Sequence, residues 1–237
     1  MNKKTLVFDI WANYGHYKVI YATTSALTYP IPFKTAIYGL IGNIIGLKKE
    51  QNQYLNRFNP GACKIALQIM HPVKTQRIHI NLSPAPGPIK DNRKPTLMEH
   101  VYNPRYRIYF THNDEDIYER LKSQLMKHQS VYTPCMGLAN LLANFCFVGE
   151  FEYQEKEQGK TQVQSIIPMQ VFLRFGEDNA NTEIIQLGMY AMEMNANRDV
   201  TKRDDILLER TGKAIHAEVK NYQSVDINDN VTHIILM

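Results

Sequence analysis

The stretch Thr28–Leu47, TYPIPFKTAIYGLIGNIIGL, sets two prolines, a lysine and three glycines into one of the most apolar runs of the chain. Its uncharged, mostly apolar part, Ala36 to Leu47, is twelve residues long, whereas crossing a bilayer takes about twenty. The stretch therefore reads as a buried helix. On a helical wheel Ile37, Leu40, Ile41 and Ile44 fall on one side, and Thr35, Gly39, Gly42, Asn43 and Gly46 on the other. Glycine inside a helix costs about 1 kcal/mol relative to alanine. A bare stripe therefore implies a compensating gain, the close approach of another backbone, either protein or nucleic acid. Pro30 and Pro32 stiffen the entry, and Lys34 and Thr35 stand in the first turn, where free N–H groups and the helix dipole favour a phosphate.

Outward from this helix, Thr5–Trp11 is β-branched and aromatic and reads as a strand, as do Cys63–Met70, Arg105–Phe110 and Phe145–Tyr153. A second helix follows Asn113, the expected N-cap, with acids in its first turn and Ile117, Leu121 and Leu125 on one face. The order β-α-β-β-α-β predicts an α+β fold of ferredoxin-like or RNA-recognition-motif type. From Ser165 onward, 166–175, 206–219 and 231–237 are strand-like, and Arg210–Ala214 reads as a hairpin turn with Gly212 at positive φ. The expected organisation is a first domain over 1–160 and a small β-rich region over 161–237.

Between the second and third strands, Lys74 to Arg107 holds seven Lys or Arg against two acids, an excess of five that surpasses the whole chain's +4. The same window carries five of the eleven prolines, which predicts an extended arm over about 72–104 with basic stems. Tyr102, Tyr106 and Tyr109 interleave the charges as candidate stacking surfaces, a combination suited to single-stranded nucleic acid. Asn13–Ser25 adds Tyr14, His16, Tyr17 and Lys18, then Thr23, Thr24 and Ser25, equally consistent with base stacking and phosphate contact or with an ordinary hairpin. Ser130–Leu138 contributes a Pro-Gly turn near Tyr132, and 193–203 reads as a solvated loop bearing Arg198, Lys202 and Arg203.

Three cysteines without C-x-x-C spacing give neither a disulfide framework nor a zinc site, and fit a reducing cytoplasm. Asp9 interrupts the first apolar run too early for a signal peptide. Phosphate-binding glycine loops, nucleophile elbows and paired metal-ligating histidines are absent from the sequence, so no metal or cofactor is expected. One pair, Lys127-His128, could stabilise and protonate a scissile phosphate in metal-free RNA cleavage. Two cations closing a helix equally complement its dipole.

The segments 8–47, 131–143 and 192–215 together resemble family-five CRISPR-associated proteins of the type I-B group, in the RAMP superfamily. The resemblance implies a ferredoxin-like domain with a thumb protruding between strands 2 and 3, and a smaller C-terminal β region. It also implies an RNA-binding subunit of Cascade that caps the 5′ handle of CRISPR RNA (crRNA) and touches the family-seven backbone subunit and the large family-eight subunit. Target DNA is then met through the complex, in antiviral defence and without a membrane. Carried onto this sequence, the handle would lie near Tyr14, His16, Lys18, Thr24, Ser25, Lys34, Thr35, Gly39 and Gly42. Lys74, Arg77, Arg93, Lys94, Arg105 and Arg107 would serve on the thumb and its stems. No catalytic residue is expected. Related type I-C members cut precursor RNA themselves, and that alternative would employ Lys127 and His128 with Tyr132 or Tyr38.

Overall fold

The computed structural model describes residues 3–19, 26–48, 50–52, 54–59, 61–82 and 94–237. Along the chain run β1 (Lys3–Ala12), β2 (Tyr14–Gly15), α1 (Lys34–Ile45), α2 (Tyr54–Arg57), β3 (Cys63–Ile69), β4 (Lys74–Leu82), β5 (Lys94–Tyr102) and β6 (Arg105–His112). They are followed by α3 (Glu115–Met126), β7 (Ala143–Val163), β8 (Ile167–Pro168) and β9 (Phe172–Phe175). The last four strands are β10 (Ile184–Met194), β11 (Val200–Glu209), β12 (Ile215–Ile227) and β13 (Asn230–Ile234).

The principal sheet is ordered β3-β6-β1-β7-β13-β12-β9. Its first four strands, with α1 and α3 between them in sequence, have the order and antiparallel pairing of the split βαβ motif, so the α+β class expected from the sequence is the one observed. β1 is central and buried on both faces, which explains its weak alternation. Leu6, Phe8 and Ile10 face the core that contains α1 and α3. Val7 faces Tyr109, Ala66 and the C-terminal residues Val225, Ile227, Ile234 and Leu236, which close over the far side.

β7 runs through residue 160 without a break, its first half paired with β1 and its second half with β12. A small sheet, β10-β11-β8, packs on the opposite side of α1. The Tyr190 hydroxyl donates to Pro32 O at 2.8 Å, fixing the entry of the helix. The turn after β11 is built around Glu209, whose buried carboxylate accepts the amides of Glu183, Thr211 and Lys213 at 2.7–2.8 Å. Gly212 there has φ 90, as the hairpin reading requires, and a Cβ would come within 2.7 Å of Ile69 O.

Two local expectations are corrected. α3 is capped by Asp114, whose side chain accepts the Asp116 amide, and the Asn113 amide group instead reaches Gly61 O at 2.8 Å. α1 stops at Ile45 because Gly46 turns left-handed, φ 76. Gly46 is therefore the C-cap and not part of the bare stripe. The last carbonyls of α1 are satisfied by the Val131 and Tyr132 amides and by the Arg120 guanidinium. The arm expected after β3 is a hairpin of β4 and β5 over nine paired positions, from Lys74↔Tyr102 to Leu82↔Lys94. Its tip, 83–93, lies outside the described residues.

Candidate nucleic-acid interface

Among the described residues, the bare stripe of α1 is not packed against another backbone. Of the described residues, a Cβ added at Gly39 would meet none within 4 Å, and at Gly42 only Leu47 and Tyr54 at 3.9 Å. The stripe forms the floor of a groove of about 660 Å³. Thr35, Ala36, Gly39, Leu40, Gly42 and Asn43 come from the helix, and His16, Tyr17 and Lys18 form one bank. Cys135, Gly137 and Leu138 continue the wall, and Met194 and Arg198 arrive from the small sheet. Five residues chosen from the sequence, His16, Lys18, Thr35, Gly39 and Gly42, thus meet in one channel. Apolar surface on its floor and cations on its edge suit an unpaired polynucleotide, whose bases need a dry face and whose phosphates need positive charge.

The bank is held by backbone bonds. His16 N–H donates to Met136 O at 3.0 Å, and Tyr29 N–H to Tyr17 O at 2.8 Å. The His16 ring donates from Nδ1 to Glu99 O at 2.8 Å. His100 does the same to Met98 O at 3.2 Å, and the two rings lie 5.7 Å apart with Tyr14 against His100 at 5.8 Å. Tyr14 also donates to Gln76 Oε1 at 3.2 Å and abuts the exposed Tyr102 ring, so it belongs to the root of the hairpin.

Burial pulls the His100 imidazole below its ordinary value, and His16 beside it acts in the same sense; burial likewise lowers His112 and His233. These groups bind protons less readily in the folded chain than when it unfolds. Stability therefore falls as pH drops below the unfolded value of about 6.5. Urea unfolding at pH 7.5 and pH 5.5 is expected to show a lower midpoint at the acidic pH, and equal midpoints would contradict neutral burial.

Other sequence choices lie elsewhere. Lys34 is turned inward, 3% exposed, 5.8 Å from the Tyr38 ring centroid, and burial lowers its amine. It is not presented to a phosphate at the helix start. Arg105 and Arg107 stand on β6 rather than on the hairpin, and both bind the buried Asp9 carboxylate, at 3.0 Å and 2.7 Å. Tyr106 and Tyr109 are buried on opposite faces of the same strand and offer no stacking surface. Arg77 leans on Glu99 at 3.4 Å, Lys74 opens β4 exposed to solvent, and Lys94 opens β5. Thr24, Ser25 and Arg93 lie outside the described residues.

The residues of the cleavage alternative are distributed as follows. Lys127 caps α3, His128 adopts φ 51 with its ring 5.0 Å from that of Phe145, and Tyr132 is exposed. Tyr38 is buried and stacked on Phe58 at 5.2 Å, its hydroxyl raised by burial and by Cys63, whose own thiol burial pushes up to about 12. Sequence reasoning left Arg198 in a solvated loop. Only the packing of the small sheet on α1 brings it to the groove, and its turn-forming neighbours gave no hint of that.

No family model and no curated protein matches the sequence. Among solved structures the chain is similar to a CRISPR protein from Archaeoglobus fulgidus, with 13% identity and a TM-score of 0.57 over 98% of this chain and 99% of that one. A chain of a CRISPR RNA-guided surveillance complex aligns over 90% of this chain and 91% of its own, with 12% identity and a TM-score of 0.47. The first of these shows a shared fold across the whole chain.

Proposed function

We propose that this chain is an RNA-binding structural subunit of a CRISPR effector complex, seating the 5′ handle of a CRISPR RNA in the groove along α1. The observation that carries this reading is the groove itself: an open glycine floor with Lys18 on one bank and Arg198 on the other. A helix that forgoes side chains where none of the described residues fills the space keeps that space for something else. The fold shared with the Archaeoglobus fulgidus CRISPR protein and the type I-B resemblance support the same reading. On this account the subunit is of family five, works in the cytoplasm, and bridges the backbone and large subunits. The β4–β5 hairpin is its thumb.

The subunit holds RNA without cutting it. Incubation of the purified chain with labelled CRISPR repeat RNA in chelator is expected to give a retarded complex and intact RNA. Discrete cleavage abolished by His128→Ala would replace this reading with the endoribonuclease one, and absence of any complex would remove both.

A further inference from the structure

Arg198 sits in the turn between β10 and β11 with φ 68, a left-handed backbone uncommon for a long side chain. The turn is held in that shape from several directions. Arg198 N–H donates to Asn195 O at 2.9 Å, and Asn195 N–H donates to Asp199 O at 3.0 Å. The Asn195 side chain bonds Asp199 twice, accepting its amide at 2.9 Å and donating to Oδ2 at 3.2 Å. From outside the turn, Asn52 Nδ2 donates to Ala196 O at 2.9 Å, and Asn52 is itself left-handed at φ 51.

The other bases of this region are engaged: Lys202 with Glu193 at 3.6 Å, and Arg203 with Met189 O at 3.2 Å. The Arg198 guanidinium, by contrast, has no ion pair or hydrogen bond among the described residues, and it lines the groove. A second group in the channel is also unpartnered. Thr35 is 8% exposed, and its hydroxyl makes no hydrogen bond among the described residues.

We propose that Arg198 is a phosphate clamp on the groove, gripping the backbone of single-stranded RNA, and that Asn52 is the positioning residue that holds its turn in place. This rests on the RNA reading of the groove and names residues that the reading alone does not supply. A guanidinium binds two phosphate oxygens at once through its planar fork. Glycine or asparagine would fill a left-handed position with less strain, so an arginine braced there implies that its side chain is used. Thr35 supplies a hydroxyl to a phosphate or a 2′-hydroxyl from the floor.

The test is the affinity of the full chain for a labelled single-stranded RNA oligonucleotide across a salt series. Arg198→Gly removes the guanidinium and suits φ 68, so the melting temperature is expected to hold or rise. Affinity should fall about tenfold, and the slope of log K against log salt should shrink by about one phosphate contact. Arg198→Lys should retain the slope with part of the affinity. Asn52→Ala should weaken binding when Arg198 is present and have no further effect in the Arg198→Gly background, a coupling that a merely structural loss would not show. An unchanged slope for Arg198→Gly, with binding still abolished by filling the groove floor, would overturn the clamp and leave the groove standing. Equal effects of Asn52→Ala in both backgrounds would remove its positioning role. A wild-type chain that binds no RNA would end both readings together.

Discussion

Gly39→Leu should abolish RNA binding, by at least about a hundredfold, while leaving the fold as stable as before or more so. The site is helical, and a Cβ there meets none of the described residues within 4 Å. Leucine therefore enters without strain and recovers about 1 kcal/mol of helix propensity. The same side chain occupies the floor of a channel that, on the proposed reading, stays open for a base or a sugar to reach the helix. Loss of binding beyond about 2.7 kcal/mol corresponds to that hundredfold. Thermal unfolding and RNA titration on one preparation decide the matter. A variant that is more stable and still binds at wild-type affinity would mean that the groove is not the site.

Gly137→Ala should do the opposite, with a loss of about 2–4 kcal/mol in stability. Gly137 lies on the same channel at φ 93, and a Cβ there would sit 1.9 Å from His16 O. Nothing flexible can yield, because that carbonyl belongs to the bank on which His16 and Lys18 stand. A fall of about 4–16 °C in melting temperature is expected for a chain of this size. RNA binding, measured below the new midpoint, should weaken through displacement of the bank. A melting temperature within a degree of wild type would show that the two walls are not locked at this point. Two glycines of one groove thus have different reasons: one keeps space empty, the other lets two backbones touch.

Where local pattern and tertiary environment agreed, the sequence was legible. The strands β1, β3 and β6 follow from their β-branched and aromatic composition, the apolar faces of α1 and α3 from periodicity, and Gly212 from turn chemistry. The bare stripe was also visible, because glycine in a helix departs from propensity and so calls for an external cause. Less legible was what each polar group meets. Lys34 stands at a helix start, where free N–H groups favour an anion, but the small sheet packs against that helix and its amine is buried. Arg105 and Arg107 alternate with aromatics as a nucleic-acid strand would, yet Asp9, nearly a hundred positions earlier, pairs with both. Tyr106 and Tyr109 look like stacking platforms only until both faces of β6 are seen to be covered. Contacts of that range depend on topology, which periodicity within a window does not encode.

The two banks of the channel, at His16 and Arg198, are separated by most of the chain. A ribosome that has made only the first domain-sized segment has produced a floor and one shore. On the proposed RNA reading, a chain that ends before β11 has joined β10 against the helix therefore holds its ligand from one shore only.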